Sequence, residues 1–368
     1  MSGRFEQKKP PMSKWKKTLL IILAVLVILI AAAVIAVVVY YNSVLNKMNK
    51  VVVPTIAYTE ATTQATEATE PAQTTAPTTE ATQPHIASSA DYVNILVVGQ
   101  ASRYGEEERF ADTAILCTIN TYEKTLTMTS MLRDAFVKMP DYKGHTGGRI
   151  KLTTIYHLGS TYGDGIAGSM ELMNMTLYRN FGVEVDYNFE VDFDAFIDVV
   201  NLLGGVEIEL TEAEADYLNA DDFWVYKDVK PGLQRLNGMT ALCYARMRKA
   251  EGDGDSDIVR TSRQQKLIEA LLEKVRNKSL PELQELANAV LPKITTSMTN
   301  AQITETLLTM LPMLSELEIK TGGTCPANYS GDLVDIYGDG MKHSVLRFTE
   351  SETKAHMRAI TEGEGIVE

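Results

Sequence analysis

The 368-residue chain carries a net charge of −13, and 45% of its residues are hydrophobic. That hydrophobic fraction is ordinary for a globular protein, so a packed core is expected, and the length leaves room for further segments beside one domain. The first seventeen residues have a net charge of +5, so the rest of the chain carries −18. A general nucleic-acid binder usually presents a basic face, and this charge balance argues against that class.

A long apolar run near the N-terminus predicts a membrane-spanning helix. Residues 19–39 are uninterruptedly apolar, and a helix of that length measures about 31 Å, which matches the hydrocarbon core of a bilayer. Trp15 and Tyr40 stand where interfacial aromatic residues belong, and the positive flank before the run is expected to stay in the cytoplasm. A cleaved signal peptide is the alternative, but its apolar region is shorter and no convincing small-residue cleavage site follows.

The segment after this run has the composition of a spacer. Residues 55–89 are mostly Thr, Ala, Glu, Gln and Pro, with no aromatic residue after Tyr58. Such a segment cannot bury enough apolar surface to offset its ordering entropy. The composition therefore predicts a disordered linker, and one suited to O-glycosylation.

From residue 91 onward the pattern is that of a globular domain. Apolar runs over residues 93–99, 113–119 and 125–131 indicate buried strands, and residues 120–124 indicate a hairpin turn. Further elements follow in chain order: helix 165–181, strand 187–191, helix 194–203, strand 206–210, a helix from Thr211, and helices over 239–247, 262–276, 281–291 and 301–317. Strands alternating with helices predict an α/β fold, an α-β-α layered sandwich with a central mixed sheet.

The three cysteines show no metal-binding spacing. Cys117, Cys243 and Cys325 form no CxxC pair, and an odd number outside the cytoplasm leaves at least one free or bonded to another molecule. Cys117 and Cys243 lie in apolar runs, so we expect them to be buried as small hydrophobic side chains.

Four arginines lie close together in this acidic chain: Arg246, Arg248, Arg260 and Arg263. A guanidinium group matches phosphate oxygens in shape and does not lose its charge, so the cluster indicates a polyanion site. A solvated helix face is the better interpretation of any single one of them. Because Arg246 and Arg248 are two residues apart, they diverge on a helix, and we expect the helix to end near Arg246 so that both face one pocket.

Polar residues at predicted strand ends supply partners for these arginines. Asp112 opens one strand, Arg133 and Asp134 follow the next, and Lys151 comes shortly after. Ligands of α/β sheets bind at strand ends. Each residue taken singly has a structural alternative: a turn cap, an ion pair or a surface lysine. Together they predict a phosphate site with a carboxylate able to hold a divalent metal, whereas the chain has no GxxxxGK[ST], GxSxG or HExxH motif.

At these residues the chain resembles the LytR-CpsA-Psr family. The resemblance covers residues 92–275 and rests on NILVVG, ADTAILCTIN, KTLTMTSMLRDAFVKMP, KLTTIYHLGS, FGVEVDYNFEVDFDAFIDVVNLLGGVEIEL and LNGMTALCYARMRKAEGDGDSDIVRTSRQQKLIEAL. A colinear series of this kind is far more specific than any one of its parts. A cytoplasmic tail, a single anchor and an external domain are also the layout of that family.

The resemblance implies an enzyme that moves a glycopolymer from a polyprenyl-diphosphate carrier to peptidoglycan, leaving a phosphodiester link. The donor is a teichoic acid or another polysaccharide, and the attacking group is a muramic-acid 6-hydroxyl. The implied partners are the lipid-linked glycan, peptidoglycan and the cell membrane, with no nucleic acid. Two alternatives stay open: a non-catalytic homologue that binds polyprenyl-phosphate lipids, and a hydrolase acting on the same lipid-linked glycan.

The resemblance also assigns roles to residues. Positions that hold the diphosphate in the family match Arg133, Lys151, Arg246, Arg248 and Arg260, with Gln264 beside them. Asp112 matches a metal-binding aspartate, which implies Mg²⁺ (or Mn²⁺) as cofactor. The expected catalytic residues are Arg133, Asp134, Arg246, Arg248 and Arg260. The general base is open between two of the aspartates, and the methionine-rich helix 165–181 is a candidate lining for the lipid chain, with plain core as its alternative.

The chain departs from the family pattern at one predicted metal ligand. Ala101 stands where the family's first strand is followed by a second metal-binding aspartate. Glu106, Glu107, Glu108 or a water molecule are the possible substitutes, and Thr153 replaces a usual asparagine. We therefore expect a weakened metal site.

The predicted division of the chain combines these observations. The segments are a cytoplasmic tail (1–17), a transmembrane helix (18–41), a stalk and Thr/Ala/Glu/Pro-rich linker (42–90), the family domain (91–278) and a C-terminal helical and strand extension (279–368). This order predicts a single-pass protein of the cell membrane with a cytoplasmic N-terminus and an extracellular C-terminal domain.

Overall fold

The structure is a computed structural model that describes residues 40–56, 92–100, 110–220, 228–247, 256–313 and 316–362. Residues 40–47 belong to one compact unit and are helical over 40–45, whereas the chain from Met48 onward forms a second unit. Within the described residues, no helix combines the length and the apolar character needed to cross a bilayer. The apolar run 19–39 and most of the predicted linker lie outside the described residues.

The second unit alternates strands and helices, as the sequence predicts. Its strands are β1 (Asn49–Lys50), β2 (Tyr92–Gln100), β3 (Ala111–Asn120), β4 (Thr125–Met131), β5 (Phe136–Lys138), β6 (Arg149–Lys151), β7 (Tyr187–Asp192), β8 (Val206–Leu210), β9 (Gly232–Leu236), β10 (Ile294–Thr296), β11 (Glu318–Cys325), β12 (Ser330–Val334) and β13 (His343–Arg347). Its helices are α1 (Leu152–Tyr162), α2 (Gly165–Phe181), α3 (Phe193–Leu202), α4 (Glu212–Ala220), α5 (Gly238–Arg246), α6 (Ser256–Arg276), α7 (Leu280–Val290), α8 (Asn300–Met310) and α9 (Glu350–Thr361).

A mixed sheet lies at the centre of this unit. In the described part of the chain it has seven strands in the order β1-β10-β7-β2-β3-β4-β11. β2 and β7 run parallel, β3 is antiparallel to both of its neighbours, and β11 runs parallel to β4. The predicted mixed α/β fold with a central mixed sheet is confirmed.

The segment 279–368, predicted as a C-terminal extension, supplies strands near both sides of this sheet. β10 pairs with β7, and β11 pairs with β4. The sequence predicted strand-like pieces late in this segment but not β10 or the pairing of either strand with the central sheet, because β10 has only three residues and β11 (EIKTGGTC) lacks a hydrophobic run. The sheet is therefore completed by residues far along the chain from its central strands.

One face of the sheet is covered by α1 and α2. Leu96, Val98 and Leu116 point from the strands into this layer, where Ile155 and Met173 are fully buried. The methionine-rich helix therefore belongs to the core, and of the two predictions for it the core one is right.

The opposite face carries α6. Because side chains alternate along a strand, Ile115 and Ile119 of β3 point away from α1 and α2, towards Ile268 and Leu272. A further cluster joins α3, α4, α5 and α6 to the two-stranded sheet of β8 and β9, around Leu210, Leu236 and Tyr244. Helices thus cover both faces of the central sheet.

Several element boundaries follow from the local residues that cap them. Thr211 and Glu214 form the reciprocal cap expected from T-E-A-E: the Glu214 amide donates to Thr211 Oγ1 (3.2 Å) and the Thr211 amide to Glu214 Oε2 (3.0 Å). Gly182 ends α2 in the left-handed conformation, with φ of 72°. The start of α6 was predicted too late, since the helix begins at Ser256 rather than near residue 262.

The cysteines are free thiols. Cys325 is fully buried, whereas Cys117 and Cys243, which were predicted to be buried, are only partly so. Desolvation raises the pKa of Cys117 to about 12, so this thiol stays protonated at neutral pH and is a poor nucleophile.

Candidate functional site

Several strand ends meet at one edge of the central sheet. Gln100 at the end of β2 lies opposite Ala111 at the start of β3 and opposite Asp192 at the end of β7. β4 ends at the same edge, because it is antiparallel to β3. The residues predicted at strand ends are therefore neighbours in space, as expected for a ligand site of an α/β sheet.

A cluster of charged side chains occupies this edge. Lys151 Nζ lies 2.8 Å from Asp134 Oδ1, and Arg133 Nη2 lies 3.2 Å from Asp134 Oδ2. The other terminal nitrogen of Arg133 is 3.8 Å from Asp112 Oδ1. The structure thus brings together four of the predicted site residues, all partly shielded from solvent.

The short ribbon of β5 and β6 holds Lys151 in this cluster. Phe136 pairs with Lys151 across the ribbon, and Lys151 then serves as the first residue before α1. The first amides of α1 donate to this same loop, Leu152 N to Ala135 O (3.0 Å) and Thr153 N to Arg133 O (2.9 Å). Backbone bonding therefore fixes the lysine beside the loop that carries its aspartate partner.

The predicted end of the helix at Arg246 is confirmed. Asn237 caps α5 by accepting from the amide of Thr240 (2.9 Å), and the helix ends at Arg246, so the chain leaves the helical path before Arg248. The Arg246 guanidinium lies 4.9 Å from the ring centroid of Phe193, the first residue of α3. Arg248 itself lies outside the described residues.

The side chain of Gln264 connects the segment that carries Asp112 with the segment that carries Arg246. Its Nε2 atom donates to Thr113 Oγ1 (3.0 Å) and to the carbonyl of Ala245 (3.3 Å). These are the chain neighbours of Asp112 and Arg246. Arg260 is buried one helical turn earlier on the same face of α6, so it is directed towards the same region.

Arg263 differs from the other arginines of the cluster. It is fully buried, and its Nε donates to Glu214 Oε1 at 2.7 Å. Its Nη1 also donates to the carbonyl of Met247 (3.4 Å), so it ties α6 to α4 and to the end of α5. The interpretation of all four arginines as one polyanion site is wrong for this residue, because its charge is already matched by a buried carboxylate.

An apolar cavity of about 220 Å³ lies on the α6 side of the sheet. Its walls come from β2, β3 and β7 and from helices α3, α5 and α6. The lining residues are Val97, Gly99, Thr113, Ile115, Val191, Asp192, Phe193, Phe196, Leu242, Ala245, Arg246, Gln264, Leu267, Ile268 and Leu271. The sequence analysis missed most of them, because a residue that lines a cavity has the same apolar pattern as one that fills a core.

The cavity and the charged cluster share the same sheet edge. Gly99 and Thr113 line the cavity and face each other across β2 and β3, and Asp112 immediately precedes Thr113 in the chain. Arg246 lines the cavity as well. The arrangement is suited to an amphipathic ligand with an apolar chain and a multiply charged anionic head.

The LytR_cpsA_psr family model matches residues 55–330 of this chain. The match covers six of the seven described strands of the central sheet, all but β1, together with the charged cluster and the cavity. The chain belongs to the LytR-CpsA-Psr family.

Named relatives within this family are moderately similar. The polyisoprenyl-teichoic acid–peptidoglycan teichoic acid transferase TagT of Bacillus subtilis is 31% identical over 205 residues, which are 54% of this chain and 58% of that protein. The regulatory protein MsrR of Staphylococcus aureus is 26% identical over 265 residues, 71% of this chain and 72% of its own length. The chain spans about half the length of several of the curated relatives that it matches.

Solved structures share the fold of this chain. A Streptococcus agalactiae protein aligns with a TM-score of 0.57 and 26% identity, over 74% of this chain and 88% of its own. TagT with bound octaprenyl pyrophosphate lipid aligns with a TM-score of 0.53 and 20% identity, over 77% of this chain and 94% of its own.

The metal expected from the LytR-CpsA-Psr resemblance does not fit the described side chains on their own. Among these residues, no three His, Cys, Asp or Glu side chains form a group that could hold a metal ion. Asp112 offers one carboxylate, whereas both oxygens of Asp134 are engaged by cationic side chains. Ala101 and the three following glutamates, Glu106, Glu107 and Glu108, lie outside the described residues.

Proposed function

We propose that this chain is a phosphotransferase that attaches a polyprenyl-diphosphate-linked glycopolymer, a teichoic acid or another polysaccharide, to peptidoglycan through a phosphodiester. In this proposal residues 18–41 anchor it in the cell membrane, the Thr/Ala/Glu/Pro-rich segment 55–89 is a spacer and the catalytic domain is extracellular. The observation that carries the proposal is the apolar cavity with arginine and lysine side chains at the same sheet edge. The names of relatives within the family support it.

The two parts of the site match the two parts of a polyprenyl-diphosphate lipid. The cavity accepts the prenyl chain, and the cationic side chains of Arg133, Lys151 and Arg246 neutralise the diphosphate. Arg248 and Arg260 complete this set in the proposal. Phosphoryl transfer depends chiefly on positioning and charge neutralisation, so a set of fixed cations supplies most of what the reaction needs.

The transfer step requires a proton acceptor. The acceptor hydroxyl attacks the phosphorus that carries the glycopolymer, a new P–O bond forms, the bond to the prenyl phosphate breaks, and the hydroxyl proton passes to a carboxylate. Asp134 is the weaker candidate, because its oxygens accept at 2.8 Å from Lys151 and 3.2 Å from Arg133. Asp112, 3.8 Å from the nearest arginine nitrogen, is better placed to accept the proton.

Mg²⁺ (or Mn²⁺) remains a prediction, and none of these steps passes through it. The two roles for Asp112, proton acceptor and metal ligand, predict different results when transfer activity is measured with a chelator or with added Mg²⁺. Activity that persists in a chelator and is lost in Asp112→Asn supports the first, whereas activity that requires added Mg²⁺ supports the second. A non-catalytic lipid-binding protein is the second candidate, favoured by the lack of a group of three metal-ligating side chains among the described residues.

The test uses the full-length protein in detergent micelles, with Mg²⁺, a polyprenyl-diphosphate glycan and peptidoglycan oligomers. Mass spectrometry detects the phosphodiester-linked product. We expect Arg246→Ala to lower the rate by about 10²–10³-fold, the scale measured for loss of one electrostatic donor. Arg235→Ala, at an exposed arginine that pairs with Glu207 on β8, is the matched control and should leave the rate unchanged.

Three other results have defined meanings. Lipid binding without product from the parent protein replaces the transferase with the lipid-binding candidate. If only the Ala101→Asp variant forms the product, the metal affinity of the parent protein is too weak for transfer. Release of free glycan phosphate instead of the linked product identifies a hydrolase.

A further inference from the structure

The hairpin of β12 and β13 begins where the match to the family ends. The family match stops at residue 330, and β12 starts at Ser330. The hairpin is nevertheless bonded to the candidate site: Leu346 N donates to the carbonyl of Asp134 (2.9 Å), and Leu346 forms a parallel bridge with Ala135. A segment outside the common family region is thus attached to the backbone of a predicted catalytic residue.

The far end of this hairpin exposes large apolar side chains. Leu333, Tyr337 and Met341 are 60%, 55% and 62% exposed. They lie within nine residues of one another on a single two-stranded element. Single exposed apolar residues are common on proteins, but several on one two-stranded element indicate an interaction surface.

The turn that carries these side chains is held in one conformation. The carboxylate of Asp335 accepts from the amides of Gly338 (2.7 Å), Asp339 (3.2 Å) and Gly340 (3.0 Å). These backbone hydrogen bonds hold the pKa of Asp335 below its usual range, so the anchoring carboxylate is charged at neutral pH. The Tyr337 ring also rests edge-on against His343, with centroids 5.0 Å apart. A surface ordered in advance loses little entropy when it binds.

The charges on the hairpin select among possible partners. Asp332, Asp335 and Asp339 provide three carboxylates, and the only cationic chains among residues 330–347 are Lys342 and Arg347. Arg347 is already paired with Asp332 through a short ion pair. The net charge of −1 offers no attraction to a phosphate-rich polymer or an anionic lipid surface, whereas sugar hydroxyls can donate to the carboxylate of Asp339 and the CH face of a sugar can pack on a tyrosine ring.

The hairpin is also close enough to the charged cluster to hold a chain that extends from it. His343 precedes Leu346 by three residues of the same strand, a distance of about 10 Å at strand spacing. Tyr337 lies against His343. A saccharide chain lying along the hairpin thus has one end beside Asp134 and another against the tyrosine.

We propose that the β12–β13 hairpin is a saccharide-binding arm that receives the acceptor glycan strand, with Tyr337 as its stacking residue. The identity of the glycan as an acceptor rests on the proposed transferase function. Binding of the saccharide itself does not require transfer, so the two proposals can fail separately.

The test measures binding of soluble peptidoglycan oligosaccharides to the full-length protein in detergent micelles, without any lipid-linked donor. Tyr337→Ala should weaken this affinity by about tenfold, because it removes an aromatic packing surface. Tyr337→Trp should retain it. Tyr122→Ala is the matched control, since Tyr122 is 83% exposed in the turn after β3, at the opposite sheet edge, and should bind like the parent.

Transfer kinetics supply a second readout. Tyr337→Ala should raise the KM for the acceptor and leave the KM for the donor unchanged. Equal oligosaccharide affinity in Tyr337→Ala and the parent protein overturns the proposal, and so does a loss of donor affinity in place of acceptor affinity. If the protein binds oligosaccharide in a Tyr337-dependent way but transfers no glycopolymer, the saccharide-binding proposal stands. Only the proposed transferase function is then overturned.

Discussion

The two faces of the central sheet are built from the same strands but differ in how they are filled. Under α1 and α2, Met173, Ile155 and Leu116 are fully buried in one continuous core. Under α3, α5 and α6, a cavity of about 220 Å³ separates the sheet from the helices. Packing on the α1–α2 face stabilises the fold. The α6 face has fewer packing contacts, because it contains a space large enough for a ligand.

Because side chains on opposite walls of a cavity do not touch, other contacts must hold those walls in position. Arg263 and Glu214 supply such a support, because their buried ion pair joins α6 to α4 and the same guanidinium bonds to the chain after α5. The neighbouring Arg246 is left to face the cavity. Within one sequence cluster, Arg263 therefore stabilises the cavity wall, whereas Arg246 lines the candidate site.

The largest expected effect comes from removing this support. Arg263→Ala leaves Glu214 as an unpaired buried charge, and we expect it to lower the free energy of unfolding by about 3–5 kcal/mol. Chemical denaturation of the full-length protein in micelles, followed by circular dichroism, measures the change. A double variant, Arg263→Met with Glu214→Leu, removes both charges and should recover most of the stability. A loss below about 1 kcal/mol, the range of exposed pairs, would contradict the supporting role.

The next prediction compares matched truncations on the two faces. Met173→Ala should cost about 3 kcal/mol of unfolding free energy, because it opens a void in a close-packed layer. Ile268→Ala, at the cavity wall, should cost only about 1–2 kcal/mol, since part of its side chain already faces empty space. Equal losses in the same denaturation assay would mean that the second face is packed as tightly as the first.

The smallest expected effect comes from filling the cavity, which should change ligand affinity but not stability. Ala245→Leu adds three carbon atoms at the cavity wall, and we expect the affinity for a polyprenyl diphosphate to fall by about tenfold, the loss of less than two buried methylene contacts. The free energy of unfolding should stay within about 0.5 kcal/mol of the parent, because the added atoms fill existing space. Isothermal titration in micelles measures the affinity. An unchanged affinity would place the prenyl chain elsewhere.

Local chemistry let the sequence predict much of this architecture. The apolar runs of β2, β3 and β4, the cap at Thr211 and the end of α5 at Arg246 are each determined by residues close in sequence. The meeting of Asp112 with Arg133 also followed, because strand ends of α/β sheets converge. These features depend on periodicity and on capping, which a single sequence displays.

The remaining features depend on contacts between distant residues. The partner of Arg263 is 49 residues away, and nothing in the local pattern distinguishes it from Arg260. The place of β11 in the central sheet is recognised only by its pairing with β4, since its own residues form no hydrophobic run. The hairpin turn at Tyr337 has ordinary turn composition, and its relation to the site depends on contacts of Leu346 with Asp134 and Ala135.

The late position of the outer strands has a consequence for how the chain folds. β1 pairs with Thr295 and Thr296 across about 245 residues of sequence, and β11 reaches β4 across nearly 200. Loop-closure entropy must be overcome before such contacts form, which makes folding slow, and until then β4 and β7 present open edges. An emerging chain that stops before residue 294 thus exposes two adhesive strands, so synthesis must pass β11 before both open strand edges are covered and the risk of aggregation falls.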